Sequence, residues 1–123
     1  RFDEAEPDYK EGLRIARIHE NRMQGPILAN LADLLCATGR FRDGLENAEL
    51  SLSRLKDFYA ADDWRMAHLA SIRGGCMVRL GDEEAGGALL RDGHKRLETR
   101  KGPGFLFTRL AKDRLGLLTS DVD

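Results

Sequence analysis

A short pattern that occurs three times constrains the fold of this chain of 123 residues more than any other feature. Each copy is a polar turn followed by a small residue at an expected helix start, and the copies are 39 and 42 residues apart: Ala5, Gly44 and Gly86. A second small residue follows seven positions later in each copy: Gly12, Ser51 and Gly93. Two helices approach closely only where a side chain is tiny, so the pattern predicts helix pairs packed along a repeated face. A period near 40 residues is typical of stacked helical repeats.

The spacing of apolar residues predicts six helices and no strand. Glycine-centred turns at Gly39 and Gly81 each join two predicted helices, which must then be antiparallel neighbours. The predicted helices cover residues 3–20, 26–37, 42–58, 64–80, 82–100 and 105–118. A linker is expected over 21–25 and a chain break over 102–104, and the tail over 119–123 is expected to fray.

The chain is therefore expected to form one all-α domain, a right-handed superhelical stack of antiparallel helix hairpins. Its length is that of a single domain. We expect a half repeat over 1–24, full repeats over 25–61 and 62–102, and a C-terminal capping helix over 103–118. The first residue is Arg1 rather than methionine, as expected of an excised or processed piece.

Charge and cysteine content exclude several classes of partner. Twenty Lys and Arg balance 21 Asp and Glu, a net charge of −1, which argues against nucleic acid as a partner. No apolar run is long enough to cross a membrane. Cys36 and Cys76 are far apart in helical sequence and are expected to be reduced thiols. These features predict a cytoplasmic protein with neither nucleic-acid nor membrane partners.

No motif for catalysis or metal binding occurs in the sequence. His19, His68 and His94 lie in different predicted helices, without metal-ligand spacing to either cysteine. The acidic pairs at 62–63 and 83–84 stand at helix starts, where capping is a better explanation than acid–base chemistry. We therefore expect no enzyme activity, no cofactor and no metal site.

Trp64, Gly74 and Gly75 each allow a structural and a functional interpretation. Trp64 is the only tryptophan, and packing against Phe58 or Tyr59 is favoured over a role as an anchor for a partner. Gly74 and Gly75 interrupt a helix at a cost of about 1 kcal/mol each relative to alanine. Close approach of a second helix explains them better than contact with a ligand.

The small residues and turns resemble the tetratricopeptide repeat, a helix–turn–helix unit that stacks into a solenoid. The middle repeat shows Leu31, Ala32, Gly39, Gly44, Ala48 and Ser51 in the family's order. The third shows Gly74, Gly81, Gly86, Leu90 and Gly93, and the half repeat shows Ala5, Tyr9 and Gly12. The period is longer than usual, similar to the long-helix repeats of kinesin light chains and many bacterial signalling proteins. Residues 63–118 also resemble the C-terminal helical repeats of some bacterial eukaryotic-like Ser/Thr kinases.

One departure from the family pattern allows two interpretations. Arg73 stands where the pattern has leucine. Either the stem of Arg73 lies along the core with its charge in solvent, or the neighbouring Ile72 faces inward instead.

The resemblance implies a non-catalytic module that binds a peptide or helix of another protein in its concave groove. First helices of the hairpins line that groove in the family. The corresponding outward positions are Ala29, Asp33 and Cys36 in the second predicted helix, and His68, Ser71, Gly75 and Arg79 in the fourth. His68 and Arg79 would favour an acidic group on the partner, whereas Asp33 would oppose it.

The first predicted helix supports an alternative function, because it has no hairpin partner of its own. Its apolar edge of Tyr9, Leu13 and Ala16 would be exposed, and such edges often self-associate. The chain would then be a structural or oligomerisation segment of a larger bacterial signalling protein, with a homodimer formed through this helix. A basic cluster beside the edge, Arg14, Arg17 and Arg22, is better explained as a solvated face than as a phosphate site. A third hypothesis is a small-molecule sensor or enzyme with a pocket between helices.

Overall fold

The computed structural model describes residues 2–118, with side chains described for 10–118, and the predicted all-α class is confirmed there. The five α-helices of this part are α1 (Phe2–Ala37), α2 (Phe41–Leu55), α3 (Trp64–Arg79), α4 (Glu83–Lys101) and α5 (Leu106–Arg114), and a 3₁₀ turn follows at Leu115–Leu117. The described residues include no strand. The tail expected to fray lies outside this range. No helix in it has the length and apolar character needed to cross a membrane.

The prediction of six helices is wrong, because the first two are one continuous helix of 36 residues. α1 runs through the expected linker over 21–25 and through Pro26. Proline removes one helix hydrogen bond, the one that the carbonyl of Arg22 would accept. At the proline the helix is held by α2: the preceding residue, Gly25, is buried, and its carbonyl accepts a hydrogen bond of 2.7 Å from Ser51 Oγ. Gly25 and Pro26 therefore do not end α1, because no tertiary contact turns the chain away from the helix axis.

The two predicted hairpins are present. α1 and α2 are joined through Gly39, and α3 and α4 through Gly81, which have φ angles of 91° and 99°. This left-handed conformation is readily available only to glycine. Such short connections place each pair of helices side by side and antiparallel.

Close helix approach at the repeated small residues is confirmed for the two full repeats. A Cβ on Gly44 would lie 2.3 Å from Cys36 Sγ, and one on Gly86 would lie 2.9 Å from the Gly74 carbonyl oxygen. The half repeat differs, because a Cβ on Gly12 would meet nothing within 4 Å. The side chain of Ala5 lies outside the described residues. The repeated small residues therefore indicate close helix contacts only where a second helix packs against them.

The expectation of reduced thiols is wrong, because Cys36 and Cys76 form a disulfide bond. Their Cα atoms are 5.6 Å apart, and the sequence separation is 40 residues. The separation is close to the repeat spacing but differs from the 42 residues between Gly44 and Gly86, so the two cysteines are not equivalent positions. They meet because α3 packs beside α1. The expectation of a cytoplasmic protein rested partly on free thiols, and the bond removes that support.

Packing around α3 organises the core. α3 contacts α1 and α2 on one side and α4 and α5 on the other. Ile72 is buried facing inward, whereas Arg73 forms an ion pair of 3.1 Å with Glu49 of α2, so the second interpretation of that site is correct. The start of α3 is capped by Asp63, whose carboxylate accepts a 2.9 Å hydrogen bond from the Arg65 amide.

Trp64 is a packing residue, but its partners differ from the predicted ones. The indole lies 5.2 Å from the ring of Phe105 and 5.6 Å from that of Phe107, centroid to centroid. Both partners belong to the segment that leads into α5 and its first turn. The tryptophan therefore fastens α5 to the start of α3.

Candidate binding groove

Three helices, α1, α3 and α5, lie side by side and run in the same direction. Ala29, His68 and Phe107 meet at one end of the three, one residue from each helix. Cys36, Gly75 and Leu117 meet towards the other end, where Leu117 belongs to the turn that follows α5. The surface between the three helices is called the α1–α3–α5 groove below.

Arg114 bridges the middle of the groove. Its Nη1 donates a 3.0 Å hydrogen bond to Ser71 Oγ of α3, and its Nη2 lies 3.2 Å from Asp33 Oδ1 of α1. The arginine side chain is only 12% exposed. A charge-assisted pair at low exposure is held more firmly than a surface ion pair. The bridge ties three helices together and divides the groove into two hollows.

The first hollow, of about 240 Å³, is charged at its edge and apolar at its floor. It is lined by Asp33, Cys36, Ala37, Ile72, Gly75, Cys76, Arg79, Leu110, Asp113, Arg114 and Leu117. Arg79 donates from Nη1 to the Cys36 carbonyl oxygen at 2.8 Å. No carboxylate of the described residues forms an ion pair with Arg79, and the residue is exposed. This charged hollow therefore offers a positioned guanidinium.

The second hollow, of about 120 Å³, is mainly aromatic and aliphatic. It is lined by Pro26, Ala29, Asn30, Leu55, Trp64, Arg65, His68 and Phe107. The His68 ring stacks on Phe107 at 4.1 Å, and the guanidinium carbon of Arg65 lies 4.6 Å from the Trp64 ring centre. This aromatic hollow has the size and character to receive one apolar side chain.

His68 is held neutral by its surroundings. Burial and, to a smaller extent, the positive charge of Arg114 lower its pKa from 6.5 to about 4, and Asp33 acts in the opposite direction. Its Nδ1 is buried and has no hydrogen-bond partner among the described residues. The expectation that His68 would attract an acidic group is therefore wrong, because the ring carries no charge near pH 7.

The lowered pKa of His68 makes stability depend on pH in a defined window. The unfolded chain takes up a proton near pH 6.5, but the folded chain only near pH 4, so acidification favours unfolding. We expect the free energy of unfolding to fall by about 2 kcal/mol between pH 7 and pH 5 because of this residue. Urea denaturation at both pH values measures the loss. The His68→Phe variant is the control, and an equal loss in that variant would contradict the assignment to His68.

Five of the seven residues predicted to face outward in the groove are buried: Ala29, Cys36, His68, Ser71 and Gly75. Cys36 is in the disulfide, and α5 packs over the other side of the set through Phe107 and Arg114. Only Asp33 and Arg79 present charged groups there, as predicted. The surface of the α1–α3–α5 groove is therefore largely contributed by side chains other than the predicted ones.

The residues that the sequence reasoning missed belong to α5 and its flanks. Leu110, Asp113, Arg114 and Leu117 line the charged hollow, and Phe107 lines the aromatic one. They were missed because this helix was taken as an end cap rather than as a groove wall. The available signal was its apolar spacing, which gives α5 a face like those of α1 and α3.

The predicted self-association edge is partly described. Leu13 and Ala16 are exposed, as is every residue over 10–24, whereas the side chain of Tyr9 lies outside the described range. Arg14 pairs with Glu11 at 2.5 Å, and Arg22 lies 5.6 Å from the Phe58 ring centre. The basic cluster is therefore partly neutralised within the chain.

Within the described part of the chain, no three His, Cys, Asp or Glu side chains are grouped so that they could hold a metal ion. Comparisons with protein-family models, curated proteins and solved structures gave no match. Function is therefore inferred from the geometry of the groove.

Proposed function

We propose that this chain is a non-catalytic protein-binding module of the tetratricopeptide type, whose α1–α3–α5 groove holds a peptide or helix of a partner protein. Its helix order, antiparallel hairpins and parallel groove helices are what a stack of such repeats requires. The disulfide and the Arg114 bridge make the groove a rigid platform. Rigid sites lose little entropy when a partner binds.

The observation that carries the proposal is Arg79, an exposed guanidinium without a carboxylate partner among the described residues, beside an apolar floor. One hydrogen bond to the Cys36 carbonyl positions its head, and the remaining donors are free to meet a carboxylate. The aromatic hollow lies beyond the Arg114 bridge. The partner segment therefore carries an acidic group for Arg79 and an apolar side chain for the aromatic hollow.

Selection of peptides from a random display library on the intact chain tests this proposal. We expect enriched peptides to combine an acidic residue with an apolar one. Arg79→Glu should weaken their binding at least about tenfold, since it replaces attraction by repulsion at the contact. Arg54→Glu is the matched control: it makes the same charge change on an exposed residue of α2 that lines neither hollow.

A second variant tests the aromatic hollow. Asn30 is exposed and lines that hollow, so Asn30→Phe should fill its mouth and weaken the same peptides while circular dichroism stays unchanged. Peptides that bind the parent chain, Arg79→Glu and Asn30→Phe equally well would overturn the groove as the binding site. The absence of any enriched peptide would overturn the proposed function itself.

A further inference from the structure

An apolar stripe, interrupted only at Glu20, runs along the exposed side of α1. It is formed by Leu13, Ala16, Met23, Ile27, Leu31 and Leu34, and the five large side chains of the set are between 41% and 60% exposed. The spacing of three, four or seven residues keeps these positions on one face of the helix. Glu20 is the one charged residue within the stripe. This surface is called the α1 stripe below.

The α1 stripe is not the edge of the hydrophobic core. The residues of α1 that pack into the core are Ala29, Ala32 and Cys36. At 100° per residue, they point roughly opposite to Ile27 and Leu34. No other helix of the described residues covers this side of α1, which is why its large apolar side chains stay exposed.

The exposure of residues 10–24 of α1 is a second reason to expect a partner for this helix. Every residue over 10–24 is exposed, so this length of helix has no support from the rest of the described chain. Helices in water derive most of their stability from packing of an apolar face rather than from propensity. A contiguous exposed apolar face of this extent marks an interaction surface.

We propose that the α1 stripe binds the α1 stripe of a second copy of this chain, with the two helices antiparallel. The stripe positions 13, 16, 20 and 23 are symmetric about residue 18. Antiparallel pairing about that point sets Leu13 opposite Met23 of the other copy, and Ile27 opposite position 9. Positions 31 and 34 then meet positions 5 and 2, which are Ala5 and Phe2 in the sequence. Leu13 thus meets an apolar side chain, and Ile27, Leu31 and Leu34 meet positions that are apolar in the sequence, whereas Glu20 stands opposite Ala16.

Glu20 in the stripe and Arg17 beside it favour the antiparallel direction. About residue 18, Glu20 faces Ala16 of the other copy and lies beside its Arg17, so each helix offers one acid to one base. Parallel pairing in register would instead place Glu20 against Glu20 and Arg17 against Arg17. Like charges at a helix interface destabilise it. A second copy is the occupant that these positions fit, because the Leu13–Met23 contact and the Glu20–Arg17 contact each form twice about residue 18.

Sedimentation of the intact chain over a range of concentrations tests the dimer. We expect a dimer that Leu13→Glu dissociates, with a dissociation constant at least about thirtyfold higher. Ile15→Glu is the matched control: Ile15 is on the same helix and 56% exposed against 48% for Leu13, but it points away from the stripe. A monomer at all concentrations, or equal loss in both variants, would overturn the proposal.

Thiol crosslinking tests the direction. Antiparallel pairing leaves the two copies of position 16 about 6 Å apart along the axis, and the two copies of position 31 about 39 Å apart. A short bismaleimide should therefore join Ala16→Cys dimers but not Leu31→Cys dimers, while the native cysteines are occupied by their own bond. Crosslinking at both positions would show parallel helices and overturn the arrangement.

The α1 stripe and the groove are tested separately. Arg79 lies in the groove, which involves the core-facing side of α1. Arg79→Glu should therefore leave the dimer intact, and Leu13→Glu should leave peptide binding intact. Loss of both properties in either variant would contradict their independence.

Discussion

Replacement of Gly74 by alanine is expected to lower the free energy of unfolding by about 3 kcal/mol, whereas the same change at Gly75 is expected to raise it by up to about 1 kcal/mol. A Cβ on Gly74 would lie 2.6 Å from the Gly86 carbonyl oxygen and 2.9 Å from the Leu90 amide nitrogen. Both atoms belong to the backbone of α4, so the helices must move apart. On Gly75 the Cβ would meet only Arg114 and Leu117 side chains, at 3.6 and 3.7 Å, which is ordinary contact.

Thermal unfolding of the two variants checks this pair directly. They differ by one position in the same helix and gain the same methyl group, so helix propensity cancels in the comparison. Gly74→Ala should melt roughly 10 °C below the parent chain, and Gly75→Ala should melt at or above it. Equal melting temperatures would show that α3 and α4 are not in the contact described here.

Loss of the Cys36–Cys76 bond is expected to cost about 4 kcal/mol of the free energy of unfolding. The bond joins residues 40 positions apart, and a loop of that length restricts the unfolded chain by about this amount. Both cysteines are buried in the main core, so the folded state of the Cys36→Ala, Cys76→Ala double variant keeps most of its packing. Urea denaturation of the parent chain and of the double variant measures the difference.

A phosphine reductant provides the second arm of this experiment. It should shift the urea midpoint of the parent chain towards that of the double variant, and leave the double variant unchanged. Titration of thiols in the denatured parent chain, without reductant, should find none. Two titratable thiols there would contradict the bond.

The local pattern of the sequence identified the hairpins but not the bond between them. Gly39 and Gly81 mark turns because a left-handed conformation favours glycine wherever it occurs, which is a local property. Cys36 and Cys76 meet because α3 stacks on α1, which depends on packing across repeats. The cysteine separation of 40 residues is close to the repeat spacing and so indicated cysteines on neighbouring repeats, but it was judged against the rules for secreted scaffolds instead.

Two of the seven residues predicted to line the groove have charged groups at its surface, and five are buried. Arg79 and Asp33 were found because charged residues on the groove side of a helix can be read from its period. The pKa of His68 and the role of Arg114 depend on which helix covers them, and no periodicity gives that. The sixth predicted helix was assigned as a cap, so its contribution to the groove could not be anticipated.

Because α1 continues through Pro26, bending at the proline would move the whole preceding part of the helix as one rigid rod. About 36 Å of helix precede the proline, and the helix is fixed to α2 at Gly25, next to the proline, and to α3 at Cys36 beyond it. Proline lacks the hydrogen bond that would resist bending at that point, so any flexing of α1 is concentrated there. A bend of only about 10° would carry the far end of the helix through roughly 6 Å. Small rotations of the folded body are thereby converted into large displacements at the far end of the helix.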